Sequence, residues 1–296
     1  MNKLTRQLLS ERAAKVIFAA CAAFSMAALA VITVFLFSRG LPFMTRYGVG
    51  DFLFGMKWNP QGDNPTYGVF PMIVTTLYLT ALSVIIGVGV GLLAAVCLFK
   101  FLPRRLVSPI RRLINLLAGI PSVIYGLFGL TIIVPFVRRY VSPDGVGYGI
   151  FSASIVLAIM ILPTVVSMSY DALVAVPTTY YEGALALGAT PEESVFRIVL
   201  PAAKSGVAAG AVLATGRALG ETMAVIMVLG NSPELPTGLF QSVRSLTANI
   251  AMGAMELSDD ALLALIASGV VLFVFALALN ISFSCLRAGG EKKVKK

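Results

Sequence analysis

Charged residues gather into a few clusters, and the runs between the clusters are long and apolar. No Asp, Glu, Lys or Arg occurs from Val16 to Ser38, Asn64 to Phe99, Leu113 to Val137, Gly145 to Tyr170 or Ala261 to Leu286. Each run exceeds the roughly 20 apolar residues that carry a helix across a bilayer. A sixth run, Ser205 to Pro233, is interrupted only by Arg217 and Glu221. The pattern predicts an all-α polytopic membrane protein with six transmembrane helices, at about 16–37, within 69–99, and at about 113–135, 149–169, 205–233 and 261–286. Basic tails are expected at 1–15 and 287–296, an external loop at 38–68, and a five-helix core over 69–286 that contains a long loop at 170–204.

Composition agrees with this reading. Of 296 residues, 58% are hydrophobic and 12% charged, against about 25% charged in soluble domains. The net charge of +9 would suggest a nucleic-acid partner in a soluble protein. Here it is read as topology. With both termini inside, the inside segments hold sixteen Lys/Arg and the outside segments six, Arg217 standing apart. The excess of Lys and Arg on cytoplasmic loops therefore places both termini in the cytoplasm and removes the reason to invoke nucleic acid. Arg138 and Arg139 run against the bias. The first uncharged run of 23 residues is longer than a signal-peptide core, so it is read as a span. Histidine is absent, and Cys21, Cys97 and Cys285 all fall in predicted spans. They are expected to be packing residues, with no disulfide framework and no metal site.

Along the chain, Pro60, Gly62 and Pro65 mark an irregular external loop in which Trp58 and Tyr67 are read as interfacial anchors. Gly87, Gly89 and Gly91 predict close helix packing. Lys100 to Arg112 reads as a short basic cytoplasmic loop. The third span carries Gly119-Ile-Pro-Ser-Val-Ile-Tyr-Gly-Leu-Phe-Gly129. Such breaks survive in a membrane where the backbone is buried in protein or lines a cavity. Pro121, Ser122, Tyr125 and Gly126 are thus candidates for lining a pathway or forming a hinge, with a packing kink as the equal alternative. Gly145-Val-Gly-Tyr-Gly149 reads as a loop before the fourth span.

Within 170–204, a first short helix from Pro177 to Leu187 should stop at Gly188. Thr190 then N-caps a second, Pro191 occupies its first position, and Glu193 completes a capping box. Pro201 ends or bends that helix. Such a unit is either a partner-docking element or a compact connection. Glu182-Gly-Ala184, Gly188, Ile198 and Leu200-Pro201 resemble the EAA motif of ABC-importer permeases, E-A-A-x3-G-x9-I-x-L-P, with Gly183 in place of an alanine. The resemblance implies the type I ABC importer permease fold. It also implies that Glu182, Gly183, Ala184 and Gly188 contact a cytoplasmic ATPase subunit.

Arg217 and Glu221 sit near the centre of the fifth run. A charge at the bilayer centre costs about 2.5–3.5 kcal/mol on insertion scales and is functional by default. At i,i+4 on one helix the two would neutralise each other, with Gly216 and Gly220 packing that face against another helix. The alternatives are a buried structural ion pair and an anion pathway in which the forked guanidinium takes an oxyanion. Arg217-Ala-Leu-Gly-Glu-Thr-Met-Ala-Val225, with the Gly119–Gly129 segment, is similar to the permeases of the Pst phosphate importers, PstC type. This implies a phosphate pathway through Arg217, Glu221 and Thr222 in a bacterial or archaeal cytoplasmic membrane. It further implies a homologous PstA-type permease, two cytoplasmic ATPase subunits that use ATP and Mg2+, and an extracytoplasmic phosphate-binding protein. The chain has no Walker A pattern, no catalytic residues and no cofactor of its own on this reading. Import of another oxyanion such as sulfate or molybdate is the main alternative. An autonomous anion channel or proton-coupled carrier is the weaker one.

Overall fold

The structure, a computed structural model, describes residues 3–254 and 259–294. Helix α1 (Lys3–Tyr47) and short α2 (Val49–Phe54) precede a two-stranded hairpin, β1 (Trp58–Asn59) and β2 (Thr66–Tyr67), in which Trp58 pairs with Tyr67. Helix α3 (Phe70–Val96) ends in a wide π turn and is followed by α4 (Arg104–Ala118). Helices α5 (Ser122–Phe128) and α6 (Val134–Tyr140) are joined by a second π turn, and α7 (Ile150–Val174) follows. The next loop holds α8 (Thr178–Ala186), α9 (Pro191–Ser194) and α10 (Leu200–Ala202). Then come α11 (Lys204–Leu219), α12 (Met223–Leu229), α13 (Leu246–Gly253) and α14 (Asp259–Val294).

Among the described residues, five helical stretches are long and apolar enough to cross a membrane: Ala14–Tyr47, Phe70–Phe101, Ser122–Tyr140, Ile150–Val174 and Asp260–Ser282. Pro191–Ala202 and Lys204–Leu219, bent by 70°, make a sixth if taken as one span. The six-span architecture stands, and the boundaries move. The first helix runs past 37 to Tyr47, so the segment expected as an irregular loop begins as helix. The described parts of both expected tails are helical.

The third span is displaced most. It begins at Ser122 rather than 113, because Gly119-Ile-Pro121 ends α4, with Gly119 as its C-cap and Pro121 as the N-cap of α5. Helix α4 is a separate amphipathic element between the second and third spans, bearing Arg104, Arg105, Arg111 and Arg112 and burying none of its residues within the chain. Arg111 bonds Asp171 of α7 at 2.6 Å and lies over the Tyr170 ring at 4.2 Å, tying α4 to the bundle.

Trp58 and Tyr67 are not interfacial anchors. Both are buried, and with Phe43, Tyr47 and Phe52 they form an edge-to-face aromatic cluster. Tyr47 Oη accepts from the Tyr67 amide at 3.1 Å, so the rings fasten α1 to the hairpin. This cluster continues into α13 and α14 through Leu246, Ala264 and Leu265.

Glycine packing follows expectation in part. A Cβ at Gly87 would lie 2.6 Å from Ile161, and one at Gly91 2.7 Å from Val165, so these two let α3 and α7 close together; at Gly89 nothing is near. Around that contact the central core gathers Leu79, Tyr125, Leu157, Met160, Ala218 and Val225. A third core, with Leu98, Leu173, Val195 and Val199, lies at the end of the bundle that carries the α8–α10 loop. Cys21 and Cys97, expected to pack inside, are exposed within this chain. The side chain of Cys285 lies outside the described residues.

Candidate functional site

The fifth span is broken where its charges lie. Helix α11 stops at Leu219, Gly220 caps it, and helix resumes at Met223. Glycine and the β-branched Thr222 are poor helix formers, and the three residues Gly220, Glu221 and Thr222 bridge the gap. Arg217 and Glu221 are therefore not on one helical face, and among the described residues no ion pair joins them. Glu221 instead turns to α12, its Oε1 accepting from the Ala224 amide at 3.2 Å. A carboxylate at a helix N-terminus is favoured by the unpaired amides there. The Thr222 hydroxyl donates to the Gly220 carbonyl at 3.3 Å.

Arg217, in the last turn of α11, is half-buried and lines a cavity of about 770 Å³ with Thr164, Met168, Ser205, Gly216 and Asn280. Gly206 and Gly210 pack α11 on α7: added Cβ atoms would meet Ala172 at 2.5 Å and Met168 at 2.8 Å. The expected packing at Gly216 and Gly220 does not occur. A Cβ at Gly216 would meet nothing within 4 Å, because that face opens into the cavity. Among the described residues the guanidinium thus has no counter-ion, and its approach is open.

The Gly119–Gly129 segment comes to the same place. At Gly126 a Cβ would lie 2.7 Å from Met227 Sδ and 2.8 Å from the Ala224 Cα, so α5 seats directly on α12. Tyr125 is buried beside it, close enough to Arg217 to feel its charge, and its hydroxyl donates to the Leu117 carbonyl at 2.8 Å across the break. Ser122 is half-buried and Pro121 exposed. The structure brings Tyr125 and Gly126 to the charged break, while Pro121 serves the turn.

At the other end of α11, the short-helix unit forms as expected. Helix α8 ends at Gly188, whose φ is 87°. The Gly188 and Ala189 amides bond Leu185 and Ala184 carbonyls at 2.9 and 3.1 Å, a glycine-terminated cap. Thr190 and Glu193 form the capping box, each bond 3.2 Å. Glu182 and Gly183 are exposed and Ala184 is buried. A Cβ at Gly183 would meet nothing within 4 Å, so the motif's alanine would fit there unchanged. Leu187 is an apolar side chain 91% exposed.

By charge pattern alone Arg244 is one more external cation. It sits just before α13, half-buried, with Nε donating to the Asn231 carbonyl at 2.8 Å and a terminal nitrogen donating to Asn249 Oδ1 at 3.2 Å. Burial pulls its guanidinium below the ordinary arginine range. Its position in Ser-Val-Arg-Ser-Leu-Thr, between turn residues and a short apolar helix, was the available signal. The segment folds back into the bundle: the Leu246 amide donates to Thr76 Oγ1 at 3.0 Å, and Thr247 Oγ1 donates to the Glu221 carbonyl at 2.8 Å. Among the described residues, no three His, Cys, Asp or Glu side chains converge as a metal site would require.

Residues 87–296 match the family model described as binding-protein-dependent transport system inner membrane component. The chain is 38% identical to the probable ABC transporter permease protein YqgH of Bacillus subtilis strain 168, covering 85% of this chain and 81% of that one. It is 37% identical to the phosphate transport system permease protein PstC of Pasteurella multocida, covering 86% and 84%. Among solved structures it is similar to a chain of a bacterial ABC transporter involved in the import of the acidic polysaccharide alginate. There the TM-score is 0.61 at 17% identity, covering 94% of this chain and 98% of that one. A chain of the MetNI methionine ABC transporter in an inward-facing conformation gives 0.59 at 21% identity, covering 75% and 95%. At these identities the structural likeness speaks to the fold alone.

Proposed function

Since the chain belongs to the family of binding-protein-dependent transport system inner membrane components, we propose that it forms the passage for inorganic phosphate in an ATP-driven importer of the cytoplasmic membrane. The observation that carries the reading is the Arg217 guanidinium, unpaired among the described residues and open to a cavity of about 770 Å³. A cation in an apolar span demands a partner. Where the described residues supply none, a transiting oxyanion can, and the planar fork of arginine matches an oxyanion edge. Relatives carrying the name phosphate transport system permease PstC support phosphate over other oxyanions.

The remaining parts divide by location. The α8–α10 loop docks a cytoplasmic ATPase, which uses ATP and Mg2+, through Glu182, Gly183, Gly188 and the exposed Leu187, while buried Ala184 holds α8 to the loop. Both termini then lie in the cytoplasm. A homologous permease of the PstA type supplies the other wall of the passage, against the open Gly216 face. An extracytoplasmic phosphate-binding protein delivers the substrate at the opposite end. Glu221, held at the α12 N-terminus, acts on the anion's path as a fixed negative charge rather than as a clasp for Arg217.

In proteoliposomes containing the complete complex, Arg217→Gln should abolish phosphate uptake while assembly and ATP hydrolysis persist. Uptake at the unsubstituted rate would sink the assignment. Competition by sulfate or molybdate against phosphate uptake decides the oxyanion.

A further inference from the structure

We propose that Arg244 is a second oxyanion-binding group of the same passage, at the far end of α12 from Arg217, receiving a tetrahedral oxyanion on its free guanidinium edge together with the Asn249 amide. The inference rests on the phosphate-pathway reading and adds a residue and a position to it.

Geometry fixes the position first. The Asn231 carbonyl that holds Arg244 Nε lies just beyond the C-terminal end of α12. Arg217 lies before its N-terminal end, on α11. The seven residues of α12 span about 10 Å at 1.5 Å per residue, so the two cations flank the break and the short helix from opposite ends. The two regions are also coupled. Ser245, next to Arg244, lies with its hydroxyl 3.0 Å from that of Thr247, which donates to the Glu221 carbonyl at 2.8 Å.

Chemistry then points to an anion. Arg244 is half-buried, yet among the described residues it has no carboxylate partner. Its hydrogen bonds to Asn231 and Asn249 use Nε and one terminal nitrogen, and among the described residues nothing engages the other. Asn249 is 1% exposed. Its Oδ1 is taken by Arg244, and its buried Nδ2 has no partner among the described residues. A buried donor without an acceptor is costly. A guanidinium with no carboxylate partner, beside an amide donor with no acceptor among the described residues, presents donors that suit an anion. Asn231 Oδ1 is also buried without a partner, an acceptor that the proton of a hydrogen-phosphate-type oxyanion can meet.

The test uses the complete complex in proteoliposomes with radiolabelled phosphate, and compares Arg244→Gln, Arg244→Lys, Asn249→Asp and Arg217→Gln. Arg244→Gln should cut uptake about tenfold or more, as expected for losing a charge-assisted bond to the anion. Assembly and binding-protein-stimulated ATP hydrolysis should stay within about twofold of the unsubstituted complex, because among the described residues no charge pair is lost. Arg244→Lys should fall between the two. Asn249→Asp places a carboxylate against Arg244 and should lower uptake by competing with the anion; it also decides the matter if Arg244→Gln fails to assemble. Uptake near the unsubstituted level in Arg244→Gln or in Asn249→Asp overturns the proposal. So does a parallel loss of uptake, assembly and ATP hydrolysis in both Arg244→Gln and Asn249→Asp, which marks a structural pair. Lost uptake in Arg217→Gln alone leaves the pathway reading standing without Arg244; lost uptake in Arg244→Gln alone does the reverse.

Discussion

The side-chain hydroxyl of Thr247 donates to the main-chain oxygen of Glu221 at 2.8 Å, across 26 residues of sequence. The break in the fifth span is thereby held open by a segment that returns from the far side of α12. Thr247→Val keeps the shape and removes the donor. Leaving the Glu221 carbonyl unpaired should cost about 1–3 kcal/mol. The expected outcome is a lower melting temperature of the purified complex and reduced phosphate uptake. An unchanged melting temperature and uptake would show that the bond does not hold the break.

Gly126 and Gly183 should respond oppositely to the same methyl group. At Gly126 the added Cβ meets the Ala224 backbone at 2.8 Å, so Gly126→Ala must part α5 from α12, at about 1–3 kcal/mol for overpacking. At Gly183 there is open space within a helix, and Gly183→Ala should stabilise α8 by about 0.5–1 kcal/mol. Thermal melts and uptake of the two variants check this; equal behaviour would contradict the packing.

Leu187, 91% exposed at the end of α8, should be an apolar anchor for the ATPase subunit. Leu187→Ser should leave the fold intact and weaken co-purification of the ATPase with this chain, together with phosphate-driven ATP hydrolysis. Full co-purification and full hydrolysis would remove Leu187 from the docking surface.

Tyr67 gives the hairpin an alkaline limit. Burial first, and the nearby Asp260 carboxylate second, raise its phenol above the usual value of 10.0. A group whose folded value is raised contributes stability that is complete below the unfolded value and is lost as pH climbs through the folded one. The hairpin should therefore be unaffected at neutral pH and loosen only above pH 10. Ultraviolet titration of tyrosinate, comparing the unsubstituted chain with Tyr67→Phe, reads this out; Tyr67 ionising with the exposed tyrosines would contradict it.

Much of this arrangement was legible because its causes are local. The Thr190–Glu193 capping box and the stop at Gly188 depend on four or five neighbouring residues, and both formed as read. The spans were legible because a bilayer needs long uncharged runs. What escaped depends on distant partners or on ambiguous breakers. The spacing of Gly216 and Gly220 predicts a packing face, although beside Thr222 Gly220 ends a helix. The basic residues from Lys100 to Arg112 looked like a loop, although α4 continues from Arg104 to Ala118 and its apolar half merged with the next uncharged run. Trp58 and Tyr67 looked like membrane anchors because their partners, Phe43, Tyr47 and Phe52, come from elsewhere in the chain. Arg244 gained meaning only when the 230–254 segment was seen to fold back to Glu221 and Thr76.

Helix α11 has a joint at each end: the 70° bend after Ala202 and the break at Gly220–Thr222. A rigid rod between two joints answers a push as a lever does, by tilting. Its 16 residues give an arm of about 24 Å at 1.5 Å per residue, so a tilt of about 10° carries the far end about 4 Å. Arg217 rides within one turn of that end, where travel is greatest, while α12, seated on α5 through Gly126, need not follow. A small rotation begun at the docking loop would thus reach the guanidinium as a displacement larger than a hydrogen bond is long.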